Sequence, residues 1–437
     1  SSVSLLPKYQ NEYGGGYYTS WDTFSYNPNT DPAEWAAFNG QLIPYYAADE
    51  SWGPKLDGTL VRHWDSWIPN HPEFGTLRPW EANPDNVRNF FNDGIENSTT
   101  LAFNAGSDTA SVRGSARLID ESLPFPNTDR NQIDVNMTGD VKIGDGLTAF
   151  ASLNYQYRKT LNFPTNGYGG LGANFNQWWQ RQLDMDRLER NYFFEGKYYS
   201  WNRRSARNAT PLYWDAPHFD FYGDQNNQRK NVMYGNFGLN YEVSDNISAD
   251  VVVRRRFNSY ESNGRTGWGG IDTPSYSEST SRYTQNEAAA SLTYSERFDE
   301  VDIQAVLGYQ VTQNRNQSIS ASTVGGLTVT DFYSIATSVD RPNYSSSLVK
   351  SKSQATYASI SVGYDSTLYV DGSYRLDWGS TANPDENRIE TWGLSGSFIF
   401  GELLDASWLD FGKLRAGYSE SPVFPGAYAT TQVYNVG

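Results

Sequence analysis

The sequence predicts an all-β protein, a transmembrane antiparallel β-barrel with long extracellular loops, and three observations lead to this prediction. Twelve segments of residues 97–420 alternate apolar and polar side chains, which is the period of a β-strand. Each segment is close to the ~9–11 residues with which a tilted strand crosses a bilayer. Every second connection is very short and the others are long, as in barrels of the outer-membrane type.

The composition excludes several other classes of protein. The chain has 437 residues, 15% of them aromatic, and a mean hydropathy of −0.65. No apolar run approaches the ~18 residues of a transmembrane helix. The absence of cysteine rules out disulfides and thiolate metal sites. A net charge of −16 argues against nucleic acid as a partner.

The pattern divides the chain into two regions. Residues 1–96 are rich in proline and tryptophan and weakly periodic, so we expect the first barrel strand and a long extracellular loop region there. Residues 97–437 are expected to form β-barrel strands with short periplasmic turns and long outer loops. A short helix is predicted at 84–91, with Asn83 as its N-cap and Gly94 as its C-terminal stop.

The alternation also predicts which side chains face lipid and which face the barrel lumen. In residues 147–157 the two faces are clearly apolar and polar. The short turns around Ser107, Asp145, Asp245, Asp299 and Asp365 should face the periplasm, and the segments 160–230, 258–285 and 314–350 the outside. The residues expected to face lipid are Leu147, Leu153, Ile303, Leu307, Ile360 and Leu368. The residues expected to face the lumen are Asn154, Gln156, Gln304 and Gln310.

The longest connection, residues 159–230, holds the candidate recognition residues. Its segment 174–222 is dense in tryptophan, tyrosine, arginine and asparagine, and a helix is predicted over Asn174–Arg190. Flat rings beside guanidinium groups suit stacking on a sugar or peptide. The alternative is that these side chains pack the loop together or contact a partner protein. The candidates for substrate binding or a partner interface are Trp178, Trp179, Arg181, Tyr198, Tyr199, Trp201, Arg203 and Arg204.

The sequence contains no motif that argues for an enzyme, a resident cofactor or a metal site. Gly167–Gly172 reads GxGxxG, but the strand before it is half-polar, which does not suit a dinucleotide-binding unit. Asp184 and Asp186 are two apart and do not share a helix face. The histidines lack metal-site spacing and are His63, His71 and His218. Loop carboxylates that could bind Ca²⁺ are left unassigned and are Asp224, Asp377, Asp385 and Glu386.

Several blocks of sequence resemble one family. They follow one another in the order found in SusC/RagA-type TonB-dependent transporters, downstream of the plug domain. The similarity extends over essentially the whole chain. The blocks are Leu6–Gly14, Ser51–Gly58, Asn83–Phe91, Gln177–Asp184, Trp201–Arg204, Trp408–Asp410 and Lys413–Tyr418.

The resemblance implies a part of a barrel of about 22 strands in the cell outer membrane of a Gram-negative bacterium. It implies import of large nutrients, glycan or peptide fragments, together with a SusD-like surface lipoprotein. It implies that TonB is contacted through a segment absent from this chain, and that the plug and the last strands are also absent, so a fragment is expected. The strand pattern alone also fits a passive porin or structural outer-membrane barrel.

Overall fold

The computed structural model describes residues 8–164, 167–401, 409 and 411–430. Parts of two resemblance blocks, Leu6–Pro7 and the pair Trp408 and Asp410, lie outside the described residues, as does the chain end Tyr434–Gly437.

Twelve long strands form one antiparallel sheet in which each strand pairs with its neighbours in the chain. This confirms the twelve segments predicted from the alternation. We label the strands β1 to β12 in chain order. They are Ile95–Gly106 (β1), Ala110–Ser122 (β2), Asp129–Gly144 (β3), Leu147–Leu161 (β4), Gln225–Ser244 (β5), Ile247–Thr266 (β6), Ser275–Phe298 (β7), Val301–Leu327 (β8), Ser338–Tyr364 (β9), Leu368–Gly379 (β10), Arg388–Ile399 (β11) and Lys413–Glu420 (β12).

The connections differ between the two ends of the sheet, which we call the short-turn end and the long-loop end. At the short-turn end, Gly146 (φ 75°) and Asp299 (φ 50°) adopt the left-handed conformation that two-residue hairpins require. The connections of this end are 107–109, 145–146, 245–246, 299–300 and 365–367, and the longer 400–412 is the exception. Those of the long-loop end are 123–128, 162–224, 267–274, 328–337 and 380–387.

The strands run much further than predicted at the long-loop end. Residues 258–285 and 314–350 were predicted to face the outside beyond strands of about ten residues, yet most of them are strand, and β8 and β9 each have 27 residues. Such strands extend about 90 Å at ~3.3 Å per residue. The prediction was wrong because serine, threonine and asparagine occupy both faces there. The apolar alternation is lost in these segments, but the hydrogen bonds between the strand backbones do not depend on it.

The register gives the sheet one apolar and one polar face, because directly paired residues share a face. Leu307 pairs with Leu292 and Ala358, and similar apolar pairs continue across the sheet. Gln304 pairs with Ser361 on the opposite, polar face. All six residues predicted to face lipid lie on the apolar face, and all four predicted to face the lumen lie on the polar face.

Residues 8–94 and 167–224 pack together into a second body, which we call the loop unit. None of the strands in residues 8–94 joins the twelve-stranded sheet. The centre of the unit is a cluster of buried rings, in which Trp67 contacts Phe24, Trp35 and Phe38 edge-on or tilted at 4.9–5.7 Å. The cluster continues through Trp64, Phe90, Phe175, Trp179, Trp201 and Trp214.

The regular elements of the loop unit are short. None of the helices in the described ranges is long and apolar enough to cross a membrane. The helices are Asn86–Asn89 (α1), Leu171–Gln177 (α2), Met185–Asn191 (α3) and Phe219–Tyr222 (α4), with 3₁₀ turns at Ala33–Phe38 and Trp64–Trp67, and in the sheet loops at Ile335–Thr337 and Pro384–Glu386. Two-residue ladders join Asp22–Thr23 to Leu42–Ile43, Leu60–Val61 to Arg78–Pro79, and Phe193–Phe194 to Lys197–Tyr198.

Both predicted helices differ from the observed ones. The helix at 84–91 has only four residues, and its N-cap is Asp85 instead of Asn83. The main-chain nitrogen of Asn83 donates a hydrogen bond to the carbonyl oxygen of Arg181 at 2.8 Å. The helix predicted over Asn174–Arg190 is split into α2 and α3. Three consecutive side chains of the interruption, 180–182, are all buried, which one helical face cannot achieve.

Candidate functional site

Three of the sequence blocks that carry the family resemblance meet around the buried guanidinium of Arg181. Its Nη1 donates to Oδ1 of Asn86 at 2.5 Å. Its Nη2 donates to the carbonyl oxygen of Pro84 at 2.7 Å, and its Nε to Oδ1 of Asn11 at 3.1 Å. The guanidinium also lies 4.5 Å from the ring centre of Tyr9. Arg181 therefore joins three segments that are far apart in the sequence.

The side chain of Asn86 fastens the same junction from the other side. Its Nδ2 donates to the carbonyl oxygens of Gln180 at 3.1 Å and Leu183 at 3.0 Å. Next to it, Gln180 donates to the carbonyl oxygen of Ala48 at 2.8 Å. The two bonds from Asn86 supply partners to main-chain carbonyls of buried residues. They also explain why the chain between α2 and α3 is not helical.

A buried carboxylate forms a second junction. Asp65 accepts hydrogen bonds from Arg78 at 2.5 Å, from Arg187 at 2.9 Å and from Asn191 at 2.9 Å. Its side chain is fully inaccessible to solvent. Burial opposes ionisation, but the two guanidinium groups outweigh it and hold the pKa of Asp65 below its usual value. Glu73 accepts from Arg187 as well, at 2.9 Å, so the loop of residues 63–76 is bound to α3.

Asn202 and Arg203 complete the set of buried polar junctions. Asn202 donates to the carbonyl oxygens of Tyr46 and Ala48 at 3.2 and 3.0 Å and accepts from the main-chain nitrogen of Tyr213 at 2.8 Å. Arg203 donates to the carbonyl oxygens of Trp64, Ser205 and Ala206 at 2.8–3.0 Å. All of these partners are main-chain or neutral groups, so the role of both residues here is to hold the loop unit together.

The structure divides the eight candidate recognition residues into two groups. Four of them are 2–4% exposed and lie inside the loop unit, namely Trp179, Arg181, Trp201 and Arg203. Of the rest, Trp178, Tyr198 and Tyr199 are half-buried and Arg204 is exposed. Only this second group can touch a ligand or partner without rearrangement of the loop unit. Its contact with cargo or partner stays a prediction.

The histidines and loop carboxylates do not assemble into a metal site in the described residues. Burial lowers the pKa of His63 and of His218 to about 4, and His218 stacks on Tyr192 with ring centres 5.9 Å apart. Of the carboxylates considered for Ca²⁺, Asp377 pairs with Arg375 at 2.8 Å. Asp224 accepts from the main-chain nitrogen of Gly267 at 2.7 Å, and Asp385 and Glu386 are exposed.

Two sets of buried polar residues in the loop unit could not be recognised from the sequence. Asp65 and its partner Arg187 are separated by 122 residues, and neither stands in a recognisable motif. Asn86 and Asn202 lie within blocks that carry the family resemblance, and this was the one sign in the sequence of a structural role. Their role as donors to main-chain carbonyls depends on contacts between distant segments, which a single sequence does not reveal.

Comparisons with known proteins find similarity at the level of the fold. No family model matches the chain, and no curated protein matches it. Among solved structures, chains of the RagAB peptide importer in its "closed-closed" and "open-open" states superpose with TM-scores of 0.59 and 0.60, at 15% and 14% identity, over 77% of this chain. A further structure of the RagAB peptide transporter gives a TM-score of 0.58 at 13% identity over 74%.

This chain spans about 37% of the length of the first of those chains. The similarity confirms the predicted fold class: the chain, with its twelve-stranded antiparallel sheet, has a fold similar to that of the RagAB peptide importer chains.

Proposed function

We propose that this chain is part of a TonB-dependent outer-membrane importer of large nutrients, glycan or peptide fragments, in a Gram-negative bacterium. The observation that carries the proposal is the fold, shared with chains of the RagAB peptide importer. The continuous apolar face of the sheet supports it further, because strands of such barrels turn an apolar face to lipid and a polar face to the lumen. The chain serves transport and performs no catalysis.

In this proposal the loop unit lies outside the cell and a SusD-like lipoprotein binds over it. The exposed edge of the candidate recognition group supports this, since Trp178, Tyr199 and Arg204 reach the surface while the rings behind them are fixed in the core. TonB supplies the energy for import in this proposal. The cargo is selected between the loop unit and the lipoprotein.

Uptake measurements test the proposal against the passive porin. Cells that carry the full-length protein should accumulate a labelled peptide or glycan too large for diffusion, and a protonophore should stop the accumulation. Uptake that continues without the proton gradient would show a passive channel. Co-purification of a surface lipoprotein with the wild type, weakened by Trp178→Ala or Arg204→Ala, tests the partner separately.

Orientation can be tested because the chain has no cysteine. A single cysteine at Glu189, exposed on α3, should react with a membrane-impermeant maleimide in intact cells. A single cysteine at Asp145, in a short turn, should react only after the outer membrane is opened. The reverse pattern would place the loop unit in the periplasm and contradict the proposed topology.

A further inference from the structure

The apolar face changes character along each strand toward the long-loop end. In β6, Val251 and Val253 are followed on this face by Arg255, and in β8, Val311 is followed by Gln313 and then Arg315. The first charged residue after the apolar stretch is basic in six adjacent strands, β4 to β9. We call these six the basic belt. They are Lys159, Arg229, Arg255, Arg282, Arg315 and Lys352.

The strands on either side of the belt behave differently. The corresponding residue is Asp120 in β2, Asp129 in β3 and Glu390 in β11. The belt is therefore confined to one sector of the sheet: acidic β3 borders it on one side, and β10, which has no charged residue on this face, borders it on the other. A sequence that merely alternated charges for solubility would not place six cations in a row on one face of neighbouring strands.

The belt is not neutralised from within the protein. All six side chains are exposed, and in the part of the chain that the structure describes only Arg229 has an ion pair, with Glu261 at 3.3 Å. Lys159 lies directly opposite Arg229, and Arg315 directly opposite Lys350. Like charges at directly opposed positions destabilise a sheet, so an anion bound between them would relieve repulsion.

One groove connects the belt to the apolar stretch. This groove of about 540 Å³ is lined by Phe237, Val253, Ala288 and Val311 and has Arg255 at its border. A second groove, of about 520 Å³, lies at the belt itself and is polar, since Glu261 and Glu278 line it together with Lys159 and Arg229. In the first groove, Arg255 has no ion pair within the described residues, and an apolar channel beside such a cation is complementary to a hydrocarbon chain attached to a phosphate.

We propose that the basic belt binds the phosphate groups of anionic lipids, whose acyl chains lie along the apolar face below it. The proposal rests on the membrane placement proposed above. Each cation near a charged lipid surface adds to the attraction, so a row of six concentrates anionic lipid at this sector of the barrel. Salt should weaken the binding, because exposed charges are screened over about 10 Å at 0.1 M salt.

The test uses the full-length protein in phosphatidylcholine nanodiscs, with phosphatidylglycerol as the probe and bound lipid counted by native mass spectrometry. The triple variant Arg255→Gln, Arg282→Gln, Lys352→Gln should bind phosphatidylglycerol at least roughly tenfold more weakly. The matched control is Arg158→Gln, Lys230→Gln, Arg256→Gln. It removes three cations from the polar face, including another directly opposed basic pair, and should bind as the wild type does.

Each other outcome overturns the proposal in a recognisable way. Equal binding by the two triple variants would show that the belt has no role in lipid binding. Competition by millimolar inorganic phosphate as effective as that by lipid would indicate a site for a free anion. Loss of a co-purifying acidic protein from the belt variant, with lipid binding unchanged, would make the belt a protein interface. A wild-type protein that stays out of the nanodiscs would contradict the membrane placement itself.

Discussion

The sheet and the loop unit are stabilised in opposite ways. In the sheet, the two faces are set by alternation, long strands pair only with their neighbours in the chain, and large apolar residues such as Leu307 are 57% exposed. In the loop unit, regular structure is sparse, and buried rings are joined by arginine, asparagine and aspartate side chains that bridge distant segments. The first design tolerates polar substitutions on one face, whereas the second depends on single residues.

The largest effect is expected where the loop unit depends on one carboxylate. Asp65→Ala removes a fully buried carboxylate and leaves the partly buried guanidinium groups of Arg78 and Arg187 with only Glu73 as an acidic partner, and breaking a buried pair costs about 3–5 kcal/mol. Urea unfolding followed by tryptophan fluorescence measures the loss, since ten of the 14 tryptophans lie in the loop unit. Glu189→Ala, at an exposed position of α3, is the control. Similar curves for both variants would contradict the role assigned to Asp65.

The loss of an aromatic ring from the core of the loop unit should destabilise the protein nearly as much. Trp201 is 2% exposed and contacts Trp179 edge-on, with ring centres 5.5 Å apart. Trp201→Ala should lower the free energy of unfolding by about 3–4 kcal/mol through the cavity it leaves. Trp178→Ala, at a half-buried position, should cost clearly less and mainly weaken the proposed lipoprotein contact. If the order of the two stabilities is reversed, the division into core and surface residues is incorrect.

In the sheet, the cost of a substitution should depend on the face that the residue occupies more than on the individual residue. Leu307→Arg places a charge on the apolar face and should cost about 2–4 kcal/mol in a bilayer. Gln304→Arg, three residues earlier on the polar face, should cost much less. Unfolding of the full-length protein in lipid vesicles compares the two. Equal costs would mean that the apolar face does not contact lipid.

The smallest effect concerns a carboxyl group of the loop unit. Burial raises the pKa of Asp215 to about 6, so its ionisation opposes folding, and this contribution lowers stability as pH rises from about 4 to about 6. Asp215→Asn should therefore gain about 1–2 kcal/mol at pH 7.5 and nothing near pH 4. Comparing variant with wild type cancels the opposite contribution of His63 and His218. A gain in the free energy of unfolding that does not change with pH would exclude this explanation. Asp186→Asn, at an exposed position of α3, is the control.

The sheet could be predicted from the sequence because its information is local. The alternation in residues 147–157 gave the strand, its faces and, with Asp145, the turn that precedes it. The loop unit could not be predicted because its information is not local. The helix expected at Asn174–Arg190 is interrupted by bonds to Ala48 and Asn86, 132 and 95 residues away. For the same reason, Trp179 and Arg181 looked like a recognition surface and are core residues.

The order of segments in the chain makes assembly of the loop unit relevant to how the sheet folds. Its two halves flank strands β1 to β4 in sequence, so when Arg187 reaches Asp65 the intervening chain becomes a closed loop of 122 residues. Closing a loop costs entropy that grows only slowly with its length. Once this closure is made, β4 and β5 are brought together across the 162–224 connection at little further cost. Assembly of the loop unit should therefore favour the pairing of β4 with β5.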